Sequence, residues 1–453
     1  MLKQKKKYEI DMCEGPILKK MLIFTIPLIF SGMLQLLFNA ADIIVVGNFA
    51  GDNSLAAVGS TSSLVNLLVN LFVGLSIGAN VLIARYYGAK QQEELDDTVH
   101  TAVALALIGG VLLTIIGVIF APTFLRWMQT PDNIIDLASI YLRVYFIGMI
   151  PMLLYNYGAA MLRAVGDTQR PMKYLIIAGC INVVFNLLFV IGFRWDVFGV
   201  ALATTISQTV SAVLVVRCLM KGEGSVRLDL KKIRLDSHKL LRILEIGIPT
   251  GIQGMLFSIS NVIIQSSINS FGDTVVAGSS AAANIEGFVY TAMNSFYQAN
   301  ISFTSQNVGA GKKERINKIL FTALACVTVV GVGMGVGAYL IGPTLLSFYT
   351  NSDAVIAAGM IRFKYVMLPY ALCGIMEVLV GSIRGMGYVI APMFVSLIGA
   401  CALRLVFIAT LFQTEQFHTM DMLYATYPVS WIVTISAHVV TFILVRVKMN
   451  KKM

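Results

Sequence analysis

Six ionisable side chains stand inside or at the edge of long apolar runs: Asp42, Glu286, Glu377, Arg143, Arg362 and Arg404. Each costs roughly 2.5–3.5 kcal/mol at the centre of a bilayer, so each calls for a partner or a task. Asp42 falls 22 residues after Lys20, about 33 Å along a straight helix. That places it late in the run, where the helix dipole disfavours an aspartate and a carboxyl is suited to trading a proton. The alternative is that it marks the outer end of the helix. Asn182 and Asn186 stand four apart on one helical face, and rise arithmetic puts Asn186 and Thr204 at similar depths, about 9 Å below the outer edge. These side chains can converge with Asp42, or the two amides can serve as hydrogen-bonding glue between helices.

The same arithmetic places Glu286 and Arg404 about 9 and 8 Å from the outer face, which predicts an ion pair between them. In that reading Glu286 attracts a cationic substrate or forms a second proton site held in reserve by Arg404; the plainer reading is a structural salt bridge. Glu377 lies two turns from the other end of its helix, too deep to join. Arg143 and Arg362 recur at one place in the two halves of the chain, near the outer helix ends, and read as snorkelling anchors.

The runs that must position these groups decide the class. The chain is 57% hydrophobic and 13% charged, with a mean hydropathy of +0.78, too little polar surface for a soluble domain of 453 residues. The apolar runs are about 20 to 28 residues long, enough to cross a bilayer as helices, and the alternation of barrel strands is absent. Twelve spans are predicted, starting near Ile17, Ser54, Leu95, Ile134, Pro171, Phe198, Leu240, Ser280, Ile316, Ala354, Ile390 and Met422. Most of the 34 lysines and arginines fall on the side holding both termini, which is therefore expected to be cytoplasmic. The net charge of +10 is first a topology signal and then a weak attraction to anionic lipid; nothing calls for nucleic acid. The basic N-terminal stretch leads into an uninterrupted apolar run and reads as the first span.

Other chemistries lack their residues. No GxxxxGK[ST], HExxH or GxSxG pattern occurs, the four histidines are isolated, and the six cysteines are scattered singly, as small apolar fillers. Direct ATP drive, an enzyme, a resident cofactor and a dedicated metal site are not expected.

The chain also repeats itself. RAVGDTQRPM from Arg163 returns as RGMGYVIAPM from Arg384, 221 positions later; IPLIFSGML from Ile26 returns as IPTGIQGML from Ile248; YYGAKQQEE from Tyr86 returns as NVGAGKKER from Asn307. A duplication follows, with a half at 1–222, a cytoplasmic connection at 223–239 and a second half at 240–453. Six spans in each copy make the halves parallel, so the fold expected is an all-α integral membrane protein of two pseudo-symmetric six-helix bundles flanking a cleft that opens by rocking. The two Arg-Gly words are expected to be structural turns, with arginine at the interface and glycine allowing the reversal.

This pattern resembles the multidrug and toxic compound extrusion (MATE) family. The likeness is carried by ADIIVVGNFAGDNSLAAVG after the first helix, the GA motifs after the second and eighth, and RAVGDTQRPM and RGMG after the fourth and tenth. It implies an antiporter that exports bulky, often cationic organic compounds from a bacterial cell across its inner membrane, driven by protons or sodium. The chain looks most like the branch related to DinF and MepA proteins, because Leu256, Phe257 and Ser258 stand where the NorM branch carries an acid. The resemblance further implies that Asp42 is the coupling residue, assisted by polar groups of the fifth and sixth helices. One of those positions, often aspartate in this branch, is Asn186 here; a lone carboxylate with amides suits a proton better than Na+.

The second half has not kept the site, since Arg404, Leu403 and Phe407 stand where the first has Val183, Asn182 and Asn186. Substrate contacts are expected from the 22 Met, 25 Phe and 17 Tyr, and Tyr290, Met293, Asn294 and Tyr297 form one polar-aromatic stripe. The rival reading is a flippase for lipid-linked precursors, which would line its path with several arginines. A monomer is expected.

Overall fold

The computed structural model describes residues 8–222 and 224–451, except the side chains of Asp52 and Ser63. Helix is the only regular structure among them, as a chain with too few polar groups to satisfy an open sheet edge in lipid requires. In chain order the helices are α1 (Ile17–Phe49), α2 (Asp52–Gly88), α3 (Gln92–Trp127), α4 (Asp132–Ile147), α5 (Met149–Ala164), α6 (Gln169–Asn186), α7 (Asp196–Lys221), α8 (Ser237–Asn269) and α9 (Asp273–Gly309). Then follow α10 (Glu314–Leu340), the short α11 (Gly342–Ser347), α12 (Asp353–Arg362), α13 (Ala371–Gly385), α14 (Ile390–Ser396), α15 (Leu403–Ala409) and α16 (Met420–Lys451).

Among the described residues nine helices are long and apolar enough to cross a membrane, and two bent pairs bring this to eleven. The pairs are α4 with α5, bent by 46° next to Gly148 and Pro151, and α12 with α13, bent by 40° next to Pro369. The twelfth long helix, α9, is 37 residues long but carries so many Ser, Thr, Asn and Gln side chains that it is less apolar than the rest. The protein is a multi-pass membrane protein. Its outward surface agrees, since Ile43, Ile44, Val184, Val329 and Leu444 are all more than half exposed.

Two compact units divide the chain, one of Met1–Met12 with Phe30–Gly251 and one of Cys13–Ile29 with Ile252–Met453. The division falls inside α1 and α8, shortly after Pro27 and Pro249, where a missing backbone donor weakens the helical ladder. Each unit repeats the other's devices. Gly166 and Gly387 both adopt φ +91°, and in both turns the next amide bonds back five residues, Asp167 to Leu162 at 2.9 Å and Tyr388 to Ile383 at 3.2 Å. Only glycine takes this backbone cheaply, so these words are turns. Lys90 and Gly311, at φ 58° and 70°, form a second such pair at the same separation. Within the units, Asn80 donates to the Ala160 carbonyl at 2.8 Å and Asn300 to the Val378 carbonyl at 2.7 Å, tying α2 to α5 and α9 to α13.

Small residues set the closest crossings. In the first unit Gly74 and Gly78 of α2 meet Gly247 and Gly251 of α8, two GxxxG words laid against each other. A Cβ on Gly247 would lie 2.6 Å from the Leu75 Cα, with no flexible side chain to yield. Gly247→Leu is therefore expected to cost about 1–3 kcal/mol, read as a lower thermal unfolding midpoint in detergent. Gly59→Leu, where a Cβ meets nothing within 4 Å, is the control that should stay near wild type.

Candidate functional site

In the first unit, α1 brings Asp42 to the last two turns before Phe49, α6 ends on Asn186, and α7 carries Thr204 at its third turn. Asn186 and Asn182 are buried, 1% and 4% exposed, and Asp42 is half-buried. The four side chains are joined: Asn186 Nδ2 donates to Asp42 Oδ1, Asn186 Nδ2 also approaches Asn182 Oδ1 at 3.4 Å, and Asn182 Nδ2 donates to Thr204 Oγ1 at 3.4 Å. The convergence of α1, α6 and α7 expected from helical rise is found.

Two features of this cluster bear on its chemistry. No ion pair reaches Asp42 among the described residues, so its charge is met by an amide and not by a cation. Asn186 Oδ1 is buried without a donor, leaving one acceptor next to the carboxyl to be satisfied. Towards the end of α1, Val45, Val46, Val190 and Val200 form a buried aliphatic cluster with Tyr141 packed on it. Tyr141 is also in electrostatic range of Asp42 and stacks on Tyr145, ring centroids 6.0 Å apart. Sequence reasoning missed this wall; its signal was the Tyr141/Tyr145 pair at one-turn spacing on α4.

Asn186 is the last α-helical residue before a π-helical turn, Leu187–Gly192. Two more such turns, Phe363–Met367 and Leu397–Ala402, occur in the second unit, one directly after Arg362 and one just before Arg404. A π turn adds a residue to the ladder and often accompanies functional side chains.

In the second unit the predicted partnership is corrected. Glu286 does not pair with Arg404. Its two carboxylate oxygens accept Nε and Nη2 of Arg362, each at 2.8 Å, while Arg362 Nη1 donates to Ser279 Oγ at 2.9 Å. Arg362 is 8% exposed and lies over the Tyr424 ring, so it is no snorkelling anchor. Arg143, by contrast, is exposed and donates to the Val118 carbonyl at 3.2 Å. The signal was available: Arg362 sits nine residues into α12, about 14 Å, too deep for a helix end.

Arg404, freed from Glu286, donates from Nε to Ser430 Oγ at 2.7 Å and stacks over Tyr427 at 4.1 Å. Glu377 on α13 is half-buried and makes no hydrogen bond or close ion pair among the described residues. Arg384 turns inward instead of staying at the interface, 4% exposed, donating to Gln253 Oε1 at 2.7 Å and to the Tyr297 hydroxyl at 2.5 Å. Along α9, Met293 and Tyr297 are buried as packing, whereas Tyr290 is 39% exposed and Asn294 accepts from Gln298 at 3.0 Å. No cluster of three or more His, Cys, Asp or Glu that could hold a metal occurs among the described residues.

The MatE family pattern matches residues 27–188 and again residues 249–410, the two copies read from the repeated words. The chain belongs to the MatE family. Among similar proteins, "Probable multidrug resistance protein YoeA" of Bacillus subtilis is 26% identical over 386 residues, covering 84% of this chain and 83% of its own length. "Multidrug export protein MepA" of Staphylococcus aureus is 20% identical over 374 residues, with 83% of each chain covered. A solved structure described as the outward-facing conformation of a multidrug resistance MATE family transporter superposes with a TM-score of 0.90 at 22% identity, covering 99% of this MatE chain and all of the other. That likeness extends the fold assignment to nearly every residue.

Proposed function

We propose that this MatE protein is a secondary antiporter that expels hydrophobic organic compounds, cations among them, in exchange for protons bound at Asp42. The observation that carries the reading is a carboxyl within a membrane helix whose hydrogen-bonding partner is the Asn186 amide and which pairs with no cation among the described residues. Such a group can be neutral with a proton and charged without one, at a cost the amides moderate. Asn182 and Thr204 hold the amide in place, and the valine cluster keeps the outer turn dry. The relatives named for multidrug resistance and export support the choice of cargo. Sodium is the lesser alternative, because one carboxylate and neutral oxygens make a poor site for a hard cation. The protein works as a monomer in a bacterial inner membrane, both termini in the cytoplasm, opening its path alternately to the two sides, and belongs with the DinF- and MepA-like branch.

The flippase reading needs several arginines open to a pyrophosphate. Three are buried in the second unit, but Arg362 is held by Glu286 and Arg384 by Gln253 and Tyr297, which leaves Arg404. The test is ethidium movement in vesicles holding the wild-type protein, under an imposed pH gradient or an imposed sodium gradient. Accumulation driven by the pH gradient alone is expected; accumulation that follows only sodium overturns proton coupling, and none under either gradient overturns the exporter.

A further inference from the structure

Arg404 is the group the mechanism above leaves unused. It is 5% exposed, among the described residues only its Nε is hydrogen-bonded, and Nη2 is buried with no acceptor. Stacking on Tyr427 at 4.1 Å and on Trp431 at 5.7 Å offsets part of the cost of burying a guanidinium, but aromatic faces leave its in-plane donors unmet. Tyr427, Cys373, Cys401 and Tyr370 lie in electrostatic range of it, and no carboxylate forms an ion pair with it among the described residues. A buried arginine without a counter-ion is expensive, and its planar fork matches a carboxylate.

The surroundings extend the site. Cys373 is in range of both Arg404 and Glu377, and Glu377 stands one turn along α13 from Cys373, on the same face. Tyr290, 39% exposed, is in range of Cys373 and Glu377, which brings the half-buried acid and the open tyrosine together on the α9–α13 pair. The fold thus places a positive fork in an aromatic clamp, then a thiol, then an acid that makes no close ion pair among the described residues and has Arg384 in electrostatic range.

We infer that this region of the second unit is a binding site for zwitterionic aromatic compounds, the carboxylate taken by Arg404 and the cationic end by Glu377. The inference rests on the exporter reading for its biological sense, yet binding can be measured without transport. The probes are rhodamine B, which carries a free carboxylate beside its cationic ring system, and its ethyl ester, which keeps the cation and loses the acid. Their affinities are read by fluorescence polarisation with the purified full chain in lipid nanodiscs.

Wild type is expected to prefer the acid. Arg404→Gln should weaken rhodamine B by about tenfold or more, the scale of a lost charge-assisted contact, and the ester by far less. Glu377→Gln should weaken both probes together. The ester is the folding control for Arg404→Gln, the thermal unfolding midpoint is the control for Glu377→Gln, and the wild-type preference needs no variant at all. Equal loss of both probes in Arg404→Gln, or a wild type that binds the ester as tightly as the acid, overturns the site. Arg404-dependent binding in a protein that moves no ethidium keeps the site and removes the exporter; normal ethidium export without the contrast removes only the site.

Discussion

Vesicles carrying Asp42→Asn are expected to move ethidium under an imposed pH gradient no faster than protein-free vesicles, while the protein folds and unfolds like wild type. Asparagine keeps the size of the side chain and an oxygen that still accepts from Asn186 Nδ2, so the links through Asn182 to Thr204 survive. What is lost is the one group of the four that can take up and release a proton. The charged hydrogen bond becomes a neutral one, a difference of about 1 kcal/mol that should barely move the unfolding midpoint. A folded Asp42→Asn protein that still exports ethidium at the wild-type rate would show that the proton travels elsewhere. Loss of export together with loss of folding would point to a structural carboxyl instead, and the unfolding measurement separates the two outcomes.

This site could be read from sequence because the two amides that join it precede any disturbance of their own helix. Asn182 and Asn186 both come before the π turn at Leu187–Gly192, so their four-residue spacing puts them on one face as the α-helical count requires. The second unit defeated the same arithmetic. Depth along a helix says nothing about direction around it, and Glu286 and Arg404 at equal depth need not face each other. Arg404 also follows the π turn at Leu397–Ala402, whose extra residue turns everything beyond it by roughly 100° from the α-helical count. Arg362 precedes its own π turn and reaches Glu286 without that displacement.

The fold was legible for a different reason. Polar words between apolar runs mark helix ends whatever the packing, and the turn glycines at 166 and 387 announce themselves because few other residues take their backbone. The interior of the packing was not legible. The GxxxG words of Gly74–Gly78 and Gly247–Gly251 are visible in the sequence, but which pairs meet depends on crossings that no local pattern encodes. The inward turn of Arg384 is similar: an arginine at a helix end reads as an interface anchor until Gln253 and Tyr297 are known to wait for it.

Glu286→Gln is expected to be the most destabilising single change among the ionisable groups. The carboxylate accepts two donors from Arg362, and both side chains are buried, 4% and 8% exposed. Truncating one partner of such a pair leaves the other charge uncompensated, which costs about 3–5 kcal/mol. Ser279 and the Tyr424 ring remain on Arg362 but cannot replace a negative charge. The loss should appear as a much lower unfolding midpoint and poor recovery of folded protein. The double variant Glu286→Gln with Arg362→Gln removes both charges together, so it should recover a large part of that stability, and a double-mutant cycle would give the coupling. Ethidium export then distinguishes the roles of Glu286. A double variant that folds and exports marks the pair as structural, whereas one that folds and fails to export marks Glu286 as a second proton or substrate group that Arg362 holds until it is needed.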